Sequence, residues 1–537
     1  MKWTRRDVLK GLGGIPILGS LWWAGSASAI TKKKERSEIL EQLNIEPSLP
    51  SEVPAVTGDP VRVGIIGFGI RGEQLCRSLG FATNEWVAEM KEEMKENPQN
   101  KALEVFEEQD KLNVIITGVC DIFDYRANRA INSFSTAENK VKRFTTHQEM
   151  IRSGEVEAIV IATPDHWHAP MAIDALENNI DVYVEKPMTH TIEETYQLRE
   201  AARKSKAVLM VGHQHRQTQS FKTAQDIINK GVLGHVSLIE TSTNRNDDNG
   251  AWNYEIHPEA NENTIDWDMF LGSAPKIPFN KNHFFRWRKW WAYGSGLSGD
   301  LLSHDYDRLN CVLNFGIPDS ISASGGIYTH RDGRNVPDVL QVNMEFPNFS
   351  TGSSQVKGKE KGLTFIYSAT LGNGFGRPTV LMGHDGTMEL GNSLTIWPES
   401  GSTKFADLLE AEKMNPGVPI YYYDPGANIP DAISSATSQY FADKGLLWTY
   451  LNGKRVDSTW LHMREWLSVV RNGGELSCGI KEGFEEAMTA HMTGLSWKLG
   501  RRIDWDRDKE ELVPIEGVDF DQALLESPDL GADHIKV

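Results

Sequence analysis

Three groups of residues in this chain have types and spacings that could do chemistry. The first is Gly67-Phe68-Gly69-Ile70-Arg71-Gly72, which follows directly on the β-branched run Val61-Arg62-Val63-Gly64-Ile65-Ile66. A turn of this kind between a strand and a helix cradles a diphosphate. Gly67 permits the tight turn, Gly69 lets the backbone approach the phosphates, and Gly72 lets the helix pack close to the strand with its N-terminus facing them. The second is Asp121, which closes the next apolar run, Val114 to Cys120, and can accept from a ribose hydroxyl. The third is Asp300-Leu301-Leu302-Ser303-His304-Asp305-Tyr306-Asp307. On a helix, residues three and four apart share a face, so Asp300, His304 and Asp307 would stand together, an imidazole able to move a proton with carboxylates to orient it. Taken alone, Asp300 and His304 read better as an ordinary helix-surface pair.

The glycine pattern by itself is weak; its strand-turn-helix setting makes it a dinucleotide fingerprint. Asp121 comes later than the usual interval after the glycines, and a helical insertion over residues 81–113, with Trp86, Met90 and Met94 at helical spacing, accounts for the delay. That stripe reads as a packing face. A carboxylate at Asp121 repels a 2′-phosphate, so NAD is expected rather than NADP, although Arg126 could reach a phosphate.

The elements that must position these groups follow from periodicity. Apolar runs at Val114 to Val119, Ala158 to Ala162, Val182 to Val184 and Val208 to Val211 alternate with helical stretches, which predicts a doubly wound parallel sheet, a Rossmann domain over residues 61–212. After Gly234 the pattern changes. Runs at Val236 to Thr241, Ile321 to Ile327, Val339 to Phe346, Leu363 to Ala369 and Thr387 to Leu390, followed by helical spacing over Trp460 to Asn472 and Lys481 to Leu499, predict a C-terminal α+β domain, residues 213–537, with a large, mainly antiparallel sheet. Val339, Leu340, Val342 and Met344 are expected to offer apolar side chains on both faces of that sheet, and a homo-oligomer built on its far face follows from this.

Two further segments fall at the carboxyl ends of parallel strands, where open α/β sheets bind ligands: Thr163-Pro164-Asp165-His166-Trp167-His168 and Glu185-Lys186-Pro187. With the glycine loop and the Asp300 to Asp307 motif, these make the chain after Pro60 resemble the glucose-fructose oxidoreductase and inositol dehydrogenase family, Gfo/Idh/MocA. The resemblance implies NAD(P)-dependent oxidoreduction at a CH-OH group of a sugar or polyol. It implies cofactor contacts at Gly67, Phe68, Gly69, Ile70, Arg71, Gly72, Asp121, Thr163, Pro164, His168, Glu185 and Lys186. Lys186, Asp300 and His304 are then the catalytic group, and His215, Arg216 and Asp307 contact substrate. His166 and His168 lack a third ligand in view, so no metal is expected. The aromatic residues Phe284, Phe285, Trp287, Trp290, Trp291 and Tyr293 suit either sugar stacking or core packing.

The N-terminus adds a location. Arg5 and Arg6 precede an apolar run from Gly11 to Gly25 and then Ala27-Ser28-Ala29, the zones of a twin-arginine signal peptide, residues 1–29, followed by a polar arm, residues 30–60. The expectation is export, to the periplasm or beyond, of a folded protein with a tightly bound dinucleotide and no stable membrane anchor after cleavage. Acidic residues exceed basic ones, 74 against 56, which disfavours nucleic acid as a partner. Cys76, Cys120, Cys311 and Cys478 are widely spaced and read as core residues. An exported enzyme has no evident pool of free NAD. Two alternatives to a dehydrogenase therefore stand: a redox-neutral glycosidase that oxidises, eliminates, hydrates and reduces, and a non-catalytic sugar-binding protein.

Overall fold

The computed structural model describes residues 58–98, 100–351, 361–424, 429–430, 448–451 and 454–526. The expected signal peptide and nearly all of the arm lie outside them. Six strands, β1 (Val61–Ile66), β2 (Val114–Cys120), β3 (Lys142–Arg143), β4 (Ala158–Ile161), β5 (Asp181–Val184) and β6 (Leu209–Val211), form one parallel sheet in the order β3-β2-β1-β4-β5-β6. The order reverses at β1, which pairs with β2 on one side and β4 on the other. That reversal opens a crevice at the carboxyl ends of the strands. Helices cover both faces, which is why Val63, Ile65, Ile159 and Val160 are all fully buried.

The insertion contains two helices, Asn84–Glu96 and Ala102–Glu108, where the spacing predicted one. The Thr83 hydroxyl caps the first by accepting from the Trp86 amide, and Trp86 packs edge-on against Phe106 across the pair. The stripe is a packing face, as expected. The four cysteines are free, three of them buried and Cys311 partly so.

The second domain is an eleven-stranded mixed sheet. Its centre runs in the order Thr379–Gly383, Val236–Asn244, Leu363–Thr370, Val339–Phe346, Ser320–Gly326. Every pair here is antiparallel except Val236–Asn244 with Leu363–Thr370. In Val339–Phe346 the side chains of Leu340, Val342, Met344 and Phe346 are buried, while Gln341, Asn343 and Glu345 are exposed. This corrects the expectation of apolar residues on both faces: a strand repeats every two residues, so Leu340, Val342 and Met344 share one side and only Val339 points the other way. The buried face packs on helices Ser303–Leu313 and Ile480–Leu499, through Leu309, Val312, Met488 and Leu495. The helix Ser458–Asn472 departs from the predicted division. Its Trp460 and Trp466 are buried with Val63, Tyr183 and Met210 of the parallel sheet, and Arg471 donates to the carbonyls of Leu112 and Asn113 at 3.0 and 2.7 Å.

Candidate active-site cleft

A cleft of about 1120 Å³ opens where the strand order reverses and runs between the two domains. Its inner end is the glycine loop. Gly67 has φ +84°, and a Cβ there would lie 2.6 Å from the Ala162 carbonyl oxygen; one on Gly72 would lie 2.0 Å from the Gly67 carbonyl oxygen. Both positions therefore require glycine. Helix Ile70–Ser78 starts at Gly69 with no side-chain cap, so its first amides stay available to an anion in the cleft. Asp121 lines the same end, where its two carboxylate oxygens accept from the backbone amides of Phe68, at 2.7 Å, and Phe123, at 2.8 Å. Burial pushes this carboxyl up, against the opposing pull of Arg126. The Arg126 guanidinium lies over the rings of Phe123, Phe284 and Phe285 and 3.5 Å from a Cβ position on Gly69. A carboxylate and a guanidinium thus both lie beside the glycine loop.

Arg71 crosses the cleft to Glu185, Nε to Oε1 at 2.7 Å, and so joins the glycine-loop helix to the end of β5. His168 joins the next two loops, its ring nitrogens lying 2.9 Å from the Thr163 carbonyl and 2.7 Å from the Pro187 carbonyl. Both nitrogens are spent on the protein, so His168 positions the walls. His166 is held in the same way by the Phe270 and Tyr293 carbonyls. The Thr163 hydroxyl, by contrast, is buried at the cleft without a hydrogen-bond partner among the described residues.

At the outer end Lys186 donates to the Asp300 carbonyl at 2.8 Å and approaches its Oδ1 at 3.4 Å. Arg288 Nε donates to the same Oδ1 and Trp252 Nε1 to Oδ2, each at 2.9 Å. Burial alone would raise the Asp300 carboxyl, but Arg288 and then Lys186 hold it well below the usual carboxylate range. His304 stands one turn further along. Its Nδ1 is buried without a partner among the described residues, and its ring lies 5.5 Å from that of His215. Burial, followed by the charge of Lys186, keeps His304 well below the ordinary histidine range, so the imidazole is neutral near pH 7 and free to accept a proton.

The expected single helical face is not formed as drawn. Ser298–Leu302 is a π-helical turn that leads into the α-helix Ser303–Leu313. Asp300 and His304 face the cleft, but Asp307 does not: its Oδ1 accepts from Arg216 Nε at 2.7 Å and it lies 3.6 Å from His213, all away from the cleft lining. Arg216 and Asp307, expected to touch substrate, are a buried ion pair behind it. His215, their neighbour in the expectation, does line the cleft. Most of the aromatic run is core: Phe284, Phe285 and Tyr293 pack with Phe123 and Phe270, while Trp291 joins the main core. Phe284 and Phe285 also show an edge to the cleft, and Trp287 lines it with the Arg288 guanidinium 4.2 Å over its ring.

Sequence reasoning passed over Arg245, Trp252, Arg288, Asp305 and Arg308. Arg288 sat unassigned inside the aromatic run, and Asp305 inside the motif itself, where it accepts from Thr243 and pairs with Arg308. Nothing in local sequence marks Arg245, which reaches the cleft from the end of a strand of the second sheet, or Trp252, which is fully buried behind it and donates to Asp300. Among the described residues no group of three or more potential ligands could hold a metal ion.

Known proteins resemble this arrangement. Levoglucosan dehydrogenase of Pseudarthrobacter phenanthrenivorans is 25% identical over 249 residues, covering 42% of this chain and 56% of that protein. A glycosyl hydrolase family 109 protein of Shewanella baltica is 23% identical over 245 residues, 43% of this chain and 44% of that one. The chain thus spans about half the length of these curated relatives. A solved levoglucosan dehydrogenase in complex with NADH and levoglucosan shares the fold with a TM-score of 0.52 at 18% identity, over 83% of this chain and 99% of that one. Residues 61–213 match the oxidoreductase family with NAD-binding Rossmann fold described as Gfo/Idh/MocA. The likeness to the Gfo/Idh/MocA NAD-binding oxidoreductases therefore rests on this domain, residues 61–213.

Proposed function

We propose that the protein oxidises a CH-OH group of a sugar or polyol, using NAD held tightly in the cleft. The observation that carries this reading is His304, whose buried Nδ1 has no partner among the described residues, beside the Lys186–Asp300 pair and in the same cleft as the uncapped glycine-loop helix. The donor set fits a dinucleotide: free helical amides for a diphosphate, Asp121 for a ribose, and the buried Thr163 hydroxyl in want of a partner. When bound, nicotinamide dinucleotide supplies the hydride acceptor. The chain's own residues then manage the proton. Lys186, fixed by Asp300, donates a hydrogen bond to the reacting oxygen, and His304 takes the hydroxyl proton as general base. Asp300, already saturated by Lys186, Arg288 and Trp252, orients those groups and does not itself exchange protons.

The test is absorbance at the reduced-nicotinamide band while sugars and aryl glycosides are added to the purified protein. A persistent rise with sugars supports net oxidation. Released aglycone without it supports redox-neutral glycoside cleavage, a second reading favoured by the family 109 relative. Silence in both refutes catalysis and leaves a binding protein. We also assign Arg5 and Arg6 to twin-arginine export of the folded, cofactor-loaded chain. Protein recovered from the periplasm with well below one dinucleotide per chain would refute tight retention.

A further inference from the structure

We infer that the substrate carries a carboxylate and that Arg245 receives it, so that the cleft selects acidic sugars over neutral ones. The inference rests on the reading of the cleft as a sugar site. Arg245 follows directly on strand Val236–Asn244, and its amide is fixed to the Thr370 carbonyl at 2.9 Å. Its half-buried side chain lines the outer end of the cleft with Asp300, His304 and Arg308.

The other cations at this outer end each face a carboxylate, while Glu255 and Arg126 elsewhere along the cleft have no ion-pair partner among the described residues. Lys186 and Arg288 share Asp300, and Arg308 takes Asp305. Arg71 takes Glu185 and Arg129 takes Glu73 at the inner end. Asp165 is spent on the amide and hydroxyl of Ser295. Asp247, near in sequence to Arg245, accepts from the Gly250 amide at 2.7 Å. No carboxylate among the described residues comes within salt-bridge distance of the Arg245 guanidinium, and none of its side-chain donors has a hydrogen-bond acceptor there. The charge of Arg245 is felt at Asp300, whose carboxyl it helps to hold down after Arg288 and Lys186, so three cations converge on one carboxylate.

A guanidinium without an ion-pair partner in a cleft loses hydration without return when a ligand covers it, unless the ligand brings the counter-charge. A carboxylate suits it best, because two parallel N–H donors meet two oxygens. A neutral sugar offers hydroxyls that can accept but cannot cancel the charge.

Calorimetry on the full chain with its bound dinucleotide tests this, using methyl glycosides of glucose, galactose and mannose paired with those of the corresponding uronic acids. The best uronide should bind about tenfold or more tighter than its neutral partner at low salt, in line with one charge-assisted bidentate contact. Arg245→Gln should abolish that preference while leaving the neutral glycoside's affinity within about twofold, and Arg245→Lys should keep part of it. Equal affinity within every pair, or a preference untouched by Arg245→Gln, overturns the inference and leaves the sugar reading standing. Binding of none of the six overturns both.

Discussion

Asp300 gathers three donors, from Lys186, Arg288 and Trp252, on one carboxylate, while the buried Nδ1 of His304, one turn on in the same cleft, has no partner among the described residues. His304→Ala should therefore cut turnover by about a hundred- to ten-thousand-fold, the usual cost of a lost general base. The dinucleotide content of the purified variant should not change, because His304 stands at the opposite end from the glycine loop. Near-normal turnover would remove His304 from the mechanism. Gly72 gives the complementary test. A Cβ there must displace the Gly67 carbonyl, 2.0 Å away, and Gly67 cannot yield because it is itself wedged against Ala162. Gly72→Ala should weaken dinucleotide binding by on the order of 2 kcal/mol through overpacking of the turn, read as cofactor lost during purification. Full occupancy in this variant would show that the turn relaxes without disturbing the diphosphate site.

At the scale of elements, the helix Ser458–Asn472 carries the most informative departure from expectation. Its spacing was legible, but its partner was not, because a hydrophobic period tells which face is buried and not against what. Trp466 is fully buried against the parallel sheet, so Trp466→Ala should cost about 3–5 kcal/mol, seen as a lower midpoint in urea, and loosen the dinucleotide domain first. An unchanged midpoint would mean that the helix contributes little to that core. The same distinction explains the rest. The parallel strands and the glycine turn were readable because both are local: apolar runs, β-branching and a motif with fixed spacing. Strands such as Thr379–Gly383 and Leu394–Pro398 escaped because each is five residues long and ends on the glycine or proline that marks a turn. Gly67, Asp121, Lys186, Asp300 and His304 were found at the cleft by motif. Asp307 was misplaced because the π-helical turn at Ser298–Leu302 changes the angle between Asp300 and the residues after it, which an α-helical spacing rule cannot anticipate, and Arg216, expected from the family resemblance, follows Asp307 into the interior as its ion-pair partner. Arg245 belongs to no motif, and only tertiary folding brings it to the cleft.

Across the whole molecule, buried histidines set the acid limit of stability. Burial pushes His166 and His462 down to about 4 and His190 and His491 down to about 3, from an ordinary 6.5. Between those values the unfolded chain binds protons that the folded chain refuses. Their contribution is therefore full above pH 6.5 and is lost as pH falls through the window down to 3 or 4. Glu194, pushed up to about 7 by burial, acts in the opposite sense, since the folded chain takes up its proton first, and the raised carboxyls of Asp121 and Asp165 add to it. Four imidazoles with large depressions outweigh these, so the urea midpoint should be lower at pH 5 than at pH 7. A single-residue comparison isolates the cause. His491 lies deep between the two domains' helices, with Nε2 at 3.1 and 3.2 Å from the hydroxyls of Thr189 and Thr195. His491→Gln removes one titrating group while keeping a polar partner for those hydroxyls, and every other group cancels when the pH 7 to pH 5 change in stability is compared with that of the parent chain. The parent should lose about 2 kcal/mol more than the variant across that interval, the share of one imidazole that protonates only when unfolded. Equal losses in the two chains would place the acid sensitivity elsewhere, with the carboxylates.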